Sequence, residues 1–138
     1  MAENKNVQLL KVSLLLLAVV TLVYGLVYLF IPEIYVKISG ADPIPSSWIR
    51  WFGGILIAFG IGAIMVFRNP LKQGIFVTAA ALGTMFNGLT LLYSLFFESA
   101  GIGNTWSTAA PAIVTLILSA LLWISMKQAK AILWNEGE

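Results

Sequence analysis

Residues 12–31 read VSLLLLAVVTLVYGLVYLFI, a run of 20 residues without one charge. An α-helix rises about 1.5 Å per residue, so crossing a hydrocarbon core of about 30 Å takes about 20 apolar residues. The stretch meets that test. Residues 51–67, 73–97 and 99–126 are also uncharged except Glu98 at their border, and three further spans follow. The 51–67 run is short, so its helix stands upright or begins at the headgroups. The chain thus reads as one all-α transmembrane domain over 1–138, with helices at about 9–31, 48–67, 72–97 and 106–130. A removable signal peptide is not expected. The first run exceeds about 15 apolar residues, and no small-residue cleavage site follows it.

Composition agrees. Hydrophobic residues make up 59% of the 138 and charged residues 10%, against about 25% charged in soluble domains. A surface that poor in charge needs lipid to cover it. The chain has no cysteine and no histidine. That removes disulfides, thiolate metal sites, cysteine nucleophiles and the commonest general base. The net charge is +2, but the basic residues lie in pairs at helix ends and form no patch, so nucleic acid is not an expected partner.

Charge also predicts orientation. Lys5, Lys11, Arg68, Lys72, Lys127 and Lys130 fall on one side, and only Lys37 and Arg50 on the other. Loops rich in lysine and arginine stay cytoplasmic, so both termini are expected inside. Trp48, Trp51 and Trp106 then mark the outer interface, and Trp123 and Trp134 the inner one.

The connections differ. Arg68-Asn69-Pro70-Leu71-Lys72 is tight and predicts an antiparallel hairpin of the second and third spans. The first outer connection is longer. Pro32-Glu33 suits a first helical turn and Gly40 a C-cap, which predicts a short interfacial helix over Pro32–Ser39. Ser46 or Ser47 is expected to cap the second span. The glycine-rich residues 99–104 predict a mobile outer loop. Ile132-Leu133-Trp134, followed by Glu136 and Glu138, suits the membrane surface.

Between apolar helices in lipid, small residues let backbones come close. Gly54, Ala58 and Gly62 recur every four residues and predict the packing ridge of the second span. Gly53, Gly60 and Ala63 widen it. The third span offers Ala80, Gly83, Asn87, Thr90 and Ser94, the first Ala18, Thr21, Gly25 and Tyr28, the fourth Thr108, Ala112, Thr115 and Ser119. Each span therefore pairs a small-polar face with a lipid-facing apolar one.

No acid or base lies deep in a span, which argues against proton-coupled transport, and no catalytic, cofactor or metal site is expected. The candidate contacts for an apolar ligand or a lipid headgroup are Arg50, Asn87, Tyr24 and Tyr28. Asn87 could instead make an ordinary interhelical hydrogen bond. Arg50, between Trp48 and Trp51, could anchor a headgroup or pair with Asp42, Glu33 or Glu98.

Phe30-Ile31-Pro32-Glu33 with Gly40, Ile49-Arg50-Trp51-Phe52-Gly53-Gly54 with Ala58 and Gly60, and Arg68-Asn69-Pro70 resemble the small DoxX-like and BphX-like membrane proteins of bacteria and archaea. The resemblance covers roughly the first three spans. It implies an antiparallel four-helix bundle in a prokaryotic inner membrane, and some relatives are subunits of membrane oxidoreductases that deliver electrons to quinone. The leading functional expectation is a non-catalytic accessory or structural subunit, associated with other membrane subunits or with itself. The alternative is binding or transport of a quinone, lipid or hydrocarbon. Glu98→Cys gives the chain a single thiol, and an impermeant thiol reagent should label it from outside intact cells; labelling only after lysis refutes the orientation.

Overall fold

The computed structural model describes residues 2–98 and 105–134, with side chains from Val7 onward. The expected loop at 99–104 and the acids Glu136 and Glu138 lie outside the described residues. Six helices follow in order: α1 (Ala2–Phe30), α2 (Pro32–Ser39), α3 (Ser46–Arg68), α4 (Gly74–Phe97), α5 (Thr105–Gln128) and α6 (Lys130–Trp134). The described residues contain no strand. Within these helices, Val7–Phe30, Ser46–Arg68, Gly74–Phe97 and Thr105–Gln128 are each 23 or 24 residues long and apolar enough to cross a membrane. Between 22% and 33% of each apolar window is buried inside the fold. Most of the remaining apolar side chains face outward, where only lipid or another protein can cover them.

Local chemistry sets the ends. Pro32 opens α2, where its missing N–H is least costly, and Gly40 closes it at φ 67° with its N–H on the Val36 carbonyl. α3 runs from Ser46 and is longer than its uncharged run, because Arg50 is carried inside it rather than ahead of it. The expected serine cap is absent. Pro45 holds the N-cap position, and the Ser46 hydroxyl donates instead to Glu33 Oε1 at 2.8 Å. In the α3–α4 turn, Asn69 Oδ1 accepts from the Leu71 amide at 3.3 Å and Lys72 takes φ 60°. The Lys72 amide donates to the Ile132 carbonyl at 3.1 Å, which ties α6 to this turn.

The neighbour relations depart from the expected hairpin. α1 packs along α3, α5 along α4, and α1 also against α5. α3 and α4 share a turn but touch only near it, where the Phe76 ring lies beside Gly62 and 6.2 Å from the Phe59 ring. The reason lies in which glycines face a partner. A Cβ on Gly53 would sit 2.9 Å from the Gly25 carbonyl oxygen, and one on Gly60 would meet the Leu22 and Thr21 side chains. α1 and α3 are therefore in near-backbone contact. Gly88 admits Leu116 and Thr115 of α5 in the same way, and the Ser119 hydroxyl donates across to the Ala81 carbonyl at 2.9 Å.

The expected ridge of Gly54, Ala58 and Gly62 is thus not what joins the helices within the chain. Nothing lies within 4 Å of a Cβ built on Gly54, Ala58 is exposed, and Gly62 receives only Phe76. On α5 the expected face is the buried one, with Thr108, Ala112, Thr115 and Ser119 all inside.

The core is concentrated at the turn end of the bundle. Leu10 and Leu14 of α1, Val77 of α4, Leu122 of α5 and Leu133 of α6 have no exposed surface. Gly53→Ala should lower stability by about 1–3 kcal/mol, because the added methyl meets backbone that cannot yield without separating α1 from α3. Gly54→Ala, in open space, should leave it unchanged or raise it by up to about 1 kcal/mol, the helix preference of alanine over glycine. Thermal melting of both variants in the same lipid checks the contrast.

Candidate functional site

The ring of helix contacts runs α3–α1–α5–α4 and stays open between α4 and α3 away from the turn. Inside that ring, towards the α2 end, lies a cavity of about 310 Å³. Its floor is Leu17, Phe59, Ala80 and Leu118, at the edge of the close-packed core. The space exists because the α4 face that looks inward is made of Ala80, Gly83 and Thr84, which are too small to fill it. A Cβ on Gly83 would meet nothing within 4 Å.

Aromatic rings line the α2 end. Tyr28 stands edge-on to Tyr35 of α2 at 4.7 Å and to Tyr24 at 5.8 Å, with Phe52 of α3 at 6.1 Å. Pairs of this geometry contribute about 0.5–1.5 kcal/mol each beyond their buried area. They join α1, α2 and α3 over the cavity. α2 is fastened by a second contact outside it: Glu33 Oε1 accepts from Ser46 Oγ at 2.8 Å and pairs with Arg50 Nη2 at 3.2 Å. The Ser46 hydroxyl, the local backbone and the Arg50 charge together hold the Glu33 carboxyl below the usual carboxylate range.

Among the described residues, none that lines the cavity is a lysine, arginine, aspartate or glutamate. Its threonines are already engaged. Thr21 donates to the Leu17 carbonyl at 2.7 Å, Thr84 to Ala80 at 2.9 Å and Thr115 to Pro111 at 2.8 Å, each within its own helix. Asn87 is different. It lines the cavity, and its amide makes no hydrogen bond to any described residue, so the expected interhelical bond is absent there. An amide offers two donors and an acceptor. It is the group best placed to orient a bound molecule.

Of the four residues singled out from the sequence, Tyr24, Tyr28 and Asn87 share this cavity, while Arg50 lies outside it on Glu33. Tyr35, Phe52, Gly83 and Pro111 also line it and were not foreseen. The one signal that could have found Gly83 is its spacing from Ala80 and Asn87, which reads equally as a packing seam. Pro111, seven residues into α5, lacks the N–H that would close on Ser107, yet α5 continues as one helix past the cavity. Among the described residues no cluster of acids could hold a metal ion.

No family model, curated protein or solved structure matches the chain. Because the folded-state pKa of Glu33 is lowered, its contribution is complete above the ordinary carboxylate pKa of about 4.3 and is lost as pH falls through the lowered value. Hydrogen exchange of the α2 amides, corrected for intrinsic rate, should therefore lose protection only on acidification below that range, and Glu33→Ala should remove the pH dependence.

Proposed function

We propose that this chain is a multi-pass membrane protein that holds an apolar small molecule between its helices. The observation that supports this is the cavity itself. It lies between four helices long and apolar enough to cross a membrane, is walled mostly by apolar and aromatic side chains, and carries one amide that makes no hydrogen bond to a described residue. Sites for small molecules are concave and mostly apolar, with a few polar groups placed to fix orientation. The lining has no acid, base, histidine or cysteine, so binding or passage fits it better than catalysis.

In this reading the turn end of the bundle faces the cytoplasm of a prokaryotic cell, with both termini inside. Lys11, Arg68, Lys72, Lys127 and Lys130 all belong to that end. The helices then form an antiparallel bundle whose cavity occupies the outer half. The resemblance to DoxX-like and BphX-like proteins fits such an architecture. The residues that carry it include Glu33, Arg50 and Gly53, which here fasten α2 and α1 to α3.

The second reading is an accessory subunit or a homo-oligomer. It is favoured by the exposed Gly54 and Ala58 on α3, which leave a shallow face for another helix. The cavity supports binding more directly, because a subunit that only packs has no use for an interior void, and voids are destabilising.

Gly83→Leu separates the two readings. The side chain has room, so the variant should fold with an unchanged or raised melting temperature while filling the site. A photoreactive long-chain alkane in lipid nanodiscs should label α4 and α5 beside the cavity, with labelling at least about tenfold lower in the variant. Equal labelling of both proteins overturns the binding reading.

A further inference from the structure

The cavity selects among membrane-dissolved molecules by charge, by size and by uncharged hydrogen-bonding groups, with the Asn87 amide on its α4 wall. We infer that its occupant is an uncharged long-chain lipid with a hydroxyl or carbonyl head, held head-inward on Asn87, its chain leaving through the gap between α3 and α4. This rests on the binding reading given above and narrows it to a ligand class and a pose.

Charge decides first. No lysine, arginine, aspartate or glutamate lines the cavity. Glu33 and Arg50, the charged pair nearest the α2 end, are bonded to each other outside it. A phosphate, carboxylate or ammonium head brought inside would lose its water and find no counter-charge, a cost that buried charges avoid only by pairing. Phospholipids, the most abundant molecules around the protein, are excluded on that ground. A hydroxyl or carbonyl loses less on leaving water, and one hydrogen bond offsets most of it.

Asn87 then supplies the bond. The threonine hydroxyls of the lining donate to their own helices, the Ser107 hydroxyl donates to the Ser39 carbonyl, and the tyrosine hydroxyls belong to the aromatic group at the α2 end, so along the α4 wall the Asn87 amide is the donor and acceptor without a protein partner among the described residues. A carbonyl can accept from it and a hydroxyl can bond in either direction. A plain hydrocarbon leaves it unsatisfied.

Size and access give the pose. A volume of about 310 Å³ is at the small end of ligand sites, which span about 300–1,000 Å³. It holds a head and the first part of a chain. α3 with α1, α1 with α5 and α5 with α4 are each in contact, α3 and α4 meet only near their turn, and the aromatic group of Tyr24, Tyr28, Tyr35 and Phe52 occupies the α2 end. The lateral gap leads to the acyl chains of the bilayer, where the rest of an apolar chain loses nothing by staying.

The test uses the full chain in nanodiscs and three probes with the same chain: an alkane, the primary alcohol and its phosphate monoester. Each competes against a photoreactive version of the alcohol. The alcohol should compete about threefold to tenfold better than the alkane, and the phosphate worst. Asn87→Leu, close in size, should bring the alcohol down to the alkane. A photoreactive group next to the head should label residues around Asn87, and one at the chain end should label the α3–α4 gap or lipid. If the phosphate competes as well as the alcohol, the neutral-head assignment is wrong. If alkane and alcohol compete equally and Asn87→Leu changes nothing, the head is not read by Asn87, while the cavity still binds. If the chain-end group labels the floor at Leu17 and Leu118, the pose is reversed. If no probe labels the cavity, the binding reading and this one fall together.

Discussion

The close approach of α1 and α3 is the constraint on which the rest of the structure depends. Gly25 and Gly53 bring the two backbones within reach of each other, and Gly60 extends the contact towards the turn end. Once α3 is committed to α1 along its length, it cannot also follow α4. The short turn brings α3 and α4 together only at Gly62 and Phe76, and beyond that point they diverge. α4 finds its own partner in α5, through Gly88 and the Ser119 to Ala81 hydrogen bond. The bundle is two tight pairs joined through α1 and α5, and the open side follows from that pairing.

Small residues therefore do opposite things at different places. Opposite another backbone, as at Gly53 or Gly88, the missing side chain gains contact. Facing the interior with nothing opposite, as at Gly83 beside Ala80, it leaves space. The hydrophobic drive that would collapse helices onto such a void in water is weak in lipid, so the cost of the void is its lost packing contact, which an occupant restores. A cavity that water would tend to close can persist in a bilayer.

The cavity is then defined by what surrounds it. Leu10, Leu14, Val77, Leu122 and Leu133 make the turn end rigid, and α6 is pinned there by the Lys72 amide on the Ile132 carbonyl. At the opposite end, closure relies on rings and on the Glu33 latch, all of it placed by the short helix α2. One end is built from leucine packing and the other from an aromatic stack and an exposed ion pair. Water and salt screen an exposed pair, so at this end the rings contribute most of the closure.

The four spans were legible in the sequence, because length and hydropathy are local properties and the bilayer reads them locally. So were α2, from Pro32 and Gly40, and the short set of partners for Arg50 that included Glu33. The buried face of α5 was legible as well, since one row of small and hydroxyl residues runs its whole length. The packing face of α3 was legible only in part: Gly53, Gly60 and Ala63, expected beside the ridge, are the buried ones, and Gly54 and Ala58, expected at its centre, are not. Gly53 and Gly54 are equally small and only about 100° apart around the helix, and the more regular four-residue repeat belongs to Gly54. Which of them meets a neighbour depends on where Gly25, Thr21 and Leu22 of α1 lie, and that is a property of two helices together. The same holds for the site. Tyr24, Tyr28 and Asn87 could be named as polar or amphipathic residues at membrane depth. That they share one cavity, that Arg50 does not, and that the Asn87 amide has no partner among the described residues were decided only when α3 turned to α1 and away from α4.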